Sequence, residues 1–172
     1  MVVGAGILPN QELAESAGLK CNNGVLVNEY GRTEDPSIFA CGDCTNHPNA
    51  SLNKNLRLES VHNALEQAKT VAFSLIGKPE KYNQIPWFWS DQFNEKLQIV
   101  GISGDHDEIV IRGSIEDGSF ILFYLKKRKL IAVDAVNNPK EFLICKKLVA
   151  NHQKISSDDI RDQSVDLKEL II

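Results

Sequence analysis

The stretch Arg32-Thr33-Glu34-Asp35-Pro36-Ser37-Ile38-Phe39-Ala40-Cys41-Gly42-Asp43 decides the fold class. Thr33 to Pro36 is turn chemistry. Ile38-Phe39-Ala40 then reads as a very short buried strand that stops on Gly42-Asp43. A carboxylate at the carboxyl end of a short apolar strand sits where α/β sheets bind ligands. Gly42 lets a ligand approach the backbone, and Asp43 can accept a hydrogen bond from a sugar or ribityl hydroxyl. An Asx-turn or a helix cap uses the same two residues, and the local string leaves both readings open.

Downstream, residues 45–57 carry four Asn and little apolar material, so an exposed loop is expected. The clearest element of the chain follows. Leu58, Val61, Ala64, Leu65, Ala68, Val71, Ala72, Leu75 and Ile76 share one face at helical spacing, with Glu66, Gln67, Lys69 and Ser74 away from it. Gly77 and Pro79 end that helix. Upstream, Val25-Leu26-Val27 reads as a strand after the turn Asn22-Asn23-Gly24, and Asn10 as the cap of a short helix through Leu13, Ala14 and Ala17. Met1-Val2-Val3 reads as the stump of an apolar strand running into Gly4-Ala5-Gly6, as if cut rather than begun.

Beyond a linker at residues 78–86 the composition changes. Trp87-Phe88-Trp89 opens an aromatic stretch. Strands are expected at Leu97 to Gly101, Glu108 to Arg112, Phe120 to Leu125 and Leu130 to Val136, close enough to suggest an antiparallel meander. Asn138-Pro139 starts a helix through Phe142, Leu143, Leu148 and Val149, and Ser156 to Arg161 suggests one more. The expected division is therefore 1–83, the end of an α/β region, and 84–172, a self-contained α+β unit with an antiparallel sheet and helices.

The 172 residues include 19 basic and 23 acidic ones, a formal net charge of -4. That mild acidity argues against a general nucleic-acid coat. No apolar run is long enough to span a membrane, and no basic n-region marks a signal peptide, so a cytoplasmic chain is expected. Cys21, Cys41, Cys44 and Cys145 form no secreted disulfide framework. Cys41-Gly42-Asp43-Cys44 has the spacing of a redox pair or half a zinc site, but no second ligand pair accompanies it, so no metal is expected.

Other candidates are weaker one by one. Gly4-Ala5-Gly6 lacks the third glycine of a dinucleotide fingerprint, with Pro9 in its place, and serves equally as a tight turn. Glu59 and His62 share one side of the long helix and form either an acid/base pair or a solvated stripe. Trp87 and Trp89 on one strand face could stack on a planar ring or wedge a core.

Their order says more. Arg32-Thr33-x-Asp35-Pro36-x-Ile38-Phe39-Ala40-x-Gly42-Asp43 resembles the second flavin-binding motif of flavoprotein reductases with two dinucleotide domains. Arg57-Leu58-Glu59-Ser60-Val61-x-Asn63-Ala64-x-x-Gln67-Ala68 and Pro86-Trp87-Phe88-Trp89-Ser90-Asp91-Gln92-Phe93 narrow the resemblance to NAD(P)H-dependent ferredoxin reductases of the putidaredoxin, rubredoxin and biphenyl-dioxygenase reductase type. Val133-Asp134-x-Val136-Asn137-x-Pro139-x-Glu141-Phe142 and Ser164-Val165-x-Leu167-Lys168-Glu169 resemble the same family's C-terminal domain. The resemblance covers essentially the whole chain, which looks like the last two fifths of such an enzyme. Alone, it is expected to be an incomplete, inactive piece.

The resemblance implies FAD and NAD(P)H as cofactors and a ferredoxin or rubredoxin as electron acceptor. It implies that Gly42 and Asp43 meet the ribityl chain and that Val61 and His62 face the pyrimidine end of the flavin. Glu59 belongs to the same cofactor-binding set, Trp89 covers the flavin ring, and Gly6 lies near the nicotinamide side. A hydride passes from NAD(P)H to the flavin, single electrons pass on, and no catalytic side chain is needed. Lys168 is the candidate contact to the acceptor. Two other readings stay open: a disulfide or nitrite reductase relative, and a non-catalytic binding or dimerisation module. A homodimer is compatible with each.

Overall fold

A computed structural model describes residues 1–50 and 52–171. Ser51, in the segment expected as a loop, and Ile172 lie outside the described residues. The chain divides into two compact units, Met1–Gln84 and Ile85–Ile172.

In the first unit, helix α1 (Glu12–Ser16) is capped by Gln11 rather than Asn10. The Gln11 side chain instead accepts a hydrogen bond from the Gly24 amide at 2.7 Å, tying the helix to the following turn. Strand β1 (Val25–Leu26) runs parallel to β2 (Thr45–Asn49), and β2 pairs antiparallel with β3 (Lys54–Leu56). β2 corrects the expected exposed loop: Thr45, Asn46, His47 and Asn49 are buried. Its polar composition suggested solvent. Hydrogen bonds satisfy much of that polarity inside, which composition alone does not reveal.

Two expected strands are absent. Met1 to Val3 take no regular form. Ile38-Phe39-Ala40 contributes one isolated bridge, Phe39 to Arg32, plus hydrogen bonds back to Gly31 and Thr33. A three-residue segment with that single neighbour makes too few ladder bonds to count as a strand.

The long helix α2 spans Val61–Leu75. Ser60 caps its start by accepting from the Asn63 amide. Its end has the Lys78-to-Phe73 and Gly77-to-Ser74 backbone bonds of a Schellman turn, with Gly77 at φ +76. Its burial reverses the usual amphipathic arrangement. The buried residues are Asn63, Gln67 and Thr70, whereas Val61, Leu65, Leu75 and Ile76 are exposed.

The second unit is a five-stranded antiparallel sheet of β4 (Trp87–Gln92), β5 (Glu95–Gly101), β6 (Glu108–Ser114), β7 (Ser119–Lys126) and β8 (Lys129–Val136). The order β4-β5-β8-β7-β6 corrects the simple meander, because β5 pairs with β8 rather than β6. At the β5 edge, Gly101 has φ +81, and a Cβ there would lie 2.1 Å from the Ile131 carbonyl, so only glycine fits.

Helix α3 (Pro139–Ala150) has Asn138 as N-cap and Pro139 at its first position. It buries Phe142, Cys145, Leu148 and Val149 in one core with Ile121, Phe123, Leu125, Leu130 and Val133 of the sheet. Helix α4 (Ser157–Arg161) and a 3-10 turn (Leu167–Leu170) add Ile160 and Leu167 to that core. Arg112 of β6 is also buried, and it ties the sheet to Glu141 and to the carbonyls of Ile160, Asp162 and Val165.

Candidate functional site

The Gly42–Asp43 turn follows the Ile38–Ala40 segment directly. Gly42 is buried with φ +82, a backbone conformation that side chains rarely adopt. A Cβ at Gly42 would sit 3.6 Å from Ala64 Cβ, an ordinary contact, so the positive φ rather than crowding calls for glycine. The same measurement places the turn against the first turn of α2. Asp43, the next residue, is exposed.

Arg57 gathers several sequence candidates into one place. Its Nη1 donates to the Asp43 carbonyl at 3.2 Å and pairs with Glu59 at 2.7 Å. Its Nη2 donates to the Ile7 carbonyl at 3.2 Å, next to Gly6, and its Nε donates to Asn23. Gly6 itself is exposed at φ +73 with open space around it. Glu59 is thus the partner of Arg57, just ahead of the cap of α2. Val61 is exposed in the first helical turn and His62 is half-buried. Arg57 was legible only as one letter of a motif. No spacing rule singles out an arginine whose partners include main-chain carbonyls as distant as Ile7.

Behind the turn lies a buried polar network that sequence reading missed. Gln67 accepts from the Gly42 amide at 2.8 Å and from the Thr45 hydroxyl at 2.7 Å. Its amide nitrogen lies 2.8 Å from His47 Nδ1 and 3.1 Å from Asn63 Oδ1. Asn63 Oδ1 also accepts from the Tyr82 hydroxyl at 2.9 Å. The Tyr82 ring meets His47 edge-on at 5.0 Å. Burial pushes the His47 imidazole down to about 4 and the Tyr82 phenol up to about 12.

In the second unit, Trp87 and Trp89 stack with centroids 5.1 Å apart. Trp87 packs on Phe142, and Lys146 Nζ lies 4.1 Å from its ring centroid. Trp87 therefore belongs to the core side of the pair, and Trp89 is half-buried. Tyr124 donates to Asp134 at 2.7 Å, and burial pushes both groups up, the phenol to about 12. Lys168 is exposed in the 3-10 turn, where its amide donates to Asp166.

Cys41 and Cys44 are free thiols. Burial, followed by the neighbouring Cys44, pushes the Cys41 thiol up, the opposite of an attacking cysteine. Among the described residues, no three His, Cys, Asp or Glu side chains cluster as a metal site, and no helix is long and apolar enough to cross a membrane.

Comparison with known proteins agrees with this layout. Residues 87–171 match the family described as Reductase C-terminal, and residues 1–68 match Pyridine nucleotide-disulphide oxidoreductase. The chain is 42% identical over 171 residues to putidaredoxin reductase of Pseudomonas putida, covering 99% of this chain and 40% of that protein. It is 40% identical over 168 residues to rhodocoxin reductase of Rhodococcus erythropolis, covering 98% of this chain and 39% of that protein. Among solved structures, the ferredoxin reductase for the CYP199A2 system from Rhodopseudomonas palustris superposes with TM-score 0.93 at 39% identity, over 98% of this chain and 42% of that one. A covalent putidaredoxin reductase–putidaredoxin complex gives TM-score 0.91 at 43% identity, over 96% of this chain and 40% of that one. The chain thus spans about two fifths of the length of the curated relatives it matches. It belongs to the ferredoxin reductases of the pyridine nucleotide-disulphide oxidoreductase family, and corresponds to their C-terminal part.

Proposed function

We propose that this chain supplies the ribityl and pyrimidine contacts of FAD in a reductase that carries electrons from NAD(P)H to a ferredoxin or rubredoxin, in the cytoplasm. The observation that carries the reading is the Gly42–Asp43 turn, Asp43 exposed and Gly42 against Ala64 in the first turn of α2, which Arg57 ties to Glu59 and to the Gly6 loop. The residues present suit the cofactor. Asp43 accepts from ribityl hydroxyls, and the start of a 15-residue helix favours an electron-rich ring edge. FAD, when bound, supplies the conversion of a two-electron donor into single-electron transfers. The chain's own task is to hold and orient it, and no side chain acts as a nucleophile. Gly6 is assigned to the nicotinamide side, Val61 and His62 to the pyrimidine end, and Trp89 to the flavin ring.

The test is a chimera in which this chain follows the N-terminal three fifths of putidaredoxin reductase. It is expected to be yellow and to reduce ferricyanide with NADH. A folded but colourless chimera overturns the proposal. Asp43→Ala in the chimera removes a positioned acceptor and is expected to weaken FAD by about 1–3 kcal/mol. Dialysis followed by flavin absorbance measures it, and unchanged occupancy removes Asp43 from the site.

Trp89→Ala is expected to raise flavin emission, because the stacked indole that would quench it, and that contributes about 0.5–1.5 kcal/mol of ring–ring attraction, is gone. A lower melting temperature with unaltered emission would instead make Trp89 part of the core. Lys168 is proposed as a contact to the acidic acceptor. Lys168→Glu is expected to slow ferredoxin reduction at low ionic strength and to leave ferricyanide reduction unchanged, because rim charges act mainly on association rate. Stopped-flow at two salt concentrations decides, and equal ferredoxin rates at low salt exclude Lys168.

A further inference from the structure

We infer that Gln67 is a positioning residue for the flavin turn: one buried amide fixes the Gly42–Asp43 backbone against the first turn of α2. The inference rests on the flavin reading above and adds how its two contact regions are held together.

The argument starts from hydrogen-bond direction. Gln67 is 4% exposed, so its amide has little recourse to water. A backbone N–H can only donate, so the atom facing the Gly42 amide is Gln67 oxygen. That oxygen also takes the Thr45 hydroxyl, two residues beyond Asp43. The amide nitrogen must then face His47 Nδ1 and Asn63 Oδ1. His47 Nδ1 therefore accepts, and the neutral ring carries its proton on Nε2. Asn63 Oδ1 takes hydrogen bonds from Gln67 and Tyr82, while Asn63 Nδ2 donates to the Leu58 carbonyl at 3.0 Å. Both ends of the Gln67 amide are thus engaged, the single proton of the Thr45 hydroxyl being shared between Gln67 oxygen at 2.7 Å and the Gly42 carbonyl at 2.8 Å.

The geometry matters because of what lies at the two ends. One end is the turn that presents Asp43. The other is Asn63, two residues after Val61 and bonded through its own amide to the cap Ser60. Pure core filling does not require this arrangement. Within this unit the inward side of α2 is the polar one, carrying Asn63, Gln67 and Thr70. The Gln67 amide, engaged at both its oxygen and its nitrogen, specifies one arrangement of the segments around it, which an apolar contact does not.

The test uses the isotope-labelled chimera with putidaredoxin reductase, freed of flavin, with amide hydrogen exchange and FAD titration. The variants are Gln67→Met, close in size, and Thr70→Val as a control on the same buried face. Gly42 amide exchange is expected to quicken at least tenfold in Gln67→Met relative to the Val25 and Val27 amides, and to stay unchanged in Thr70→Val. FAD is expected to shift the Asp43 and Val61 amides in wild type and Thr70→Val, with at least fivefold weaker apparent affinity in Gln67→Met. Equal FAD response in wild type and Gln67→Met overturns the inference and leaves the flavin reading standing. No FAD response in wild type, with Gly42 exchange as expected, fells the flavin reading and the positioning role with it. Should Gln67→Met fail to fold, Gln67→Glu decides. It keeps the acceptor for Gly42 and loses the donor to Asn63, so Gly42 exchange should stay slow while the FAD response drops. An unchanged FAD response in Gln67→Glu overturns the inference.

Discussion

Replacing Arg112 with methionine is expected to destabilise the second unit by about 3–5 kcal/mol, the cost of removing one partner of a buried ionic cluster. Arg112 is 4% exposed. Its Nε and Nη2 engage Glu141 at 3.0 and 2.9 Å. Its Nη1 donates to the carbonyls of Ile160 and Asp162 at 3.1 and 2.6 Å, and Nη2 to that of Val165 at 3.0 Å. Methionine fills some of the volume but leaves these carbonyls without a donor. A loss of that size is a large share of a domain's total stability. Lysine should not rescue it, because an ammonium cannot reproduce the planar fork. Urea unfolding followed by tryptophan emission measures the effect, since both tryptophans, Trp87 and Trp89, lie in this unit. A loss under about 1 kcal/mol would show that water replaces the clamp.

Acid is expected to weaken the first unit through His47. The imidazole is 2% exposed, and burial holds it at about 4, below the ordinary 6.5. The folded form therefore resists a proton that the unfolded chain accepts. The contribution is fully present above pH 6.5 and is lost as the pH falls from there towards about 4, amounting to about 3 kcal/mol at the acid end. A proton at Nδ1 would also confront the Gln67 amide group that now donates to it. Hydrogen exchange of the Val25 and Val27 amides between pH 8 and pH 4 reads the loss. In His47→Gln the corresponding part of the slope should vanish, and an identical slope would place the acid sensitivity elsewhere.

How much was legible follows from where the information sits. The second unit was read well because its signals are local: alternating apolar residues in β6 to β8, and an Asn-Pro helix start. The position of β5 beside β8 was not legible, because strand order depends on distant pairing rather than on hairpin spacing. In the first unit the string ending in Gly42-Asp43 gave away the turn at Gly42, since a fixed string encodes a fixed turn. The Thr45–Asn49 strand was missed because buried polarity looks like exposed polarity until its partners are known. Gln67 stands 22 residues from Thr45 and 25 from Gly42, and no short-range pattern joins them. Arg57 was hidden for the same reason, its most distant partner being Ile7, 50 residues away.

The Arg112 clamp also sets an order of events during synthesis. Its carbonyl acceptors lie 48 to 53 residues further along the chain. At about 5–20 residues per second, a ribosome needs roughly 2.5–10 s to make that length. β7 and β8 are completed in the first half of that interval, by Val136, but the guanidinium on the edge strand β6 still has no acceptors from the tail and must stay hydrated. Water on Arg112 keeps the helix-facing side of the sheet from closing around it. Final closure of this unit thus waits for residues 160–165, and a nascent chain stalled before them holds its most expensive buried charge in the open, where a chaperone or protease can reach it.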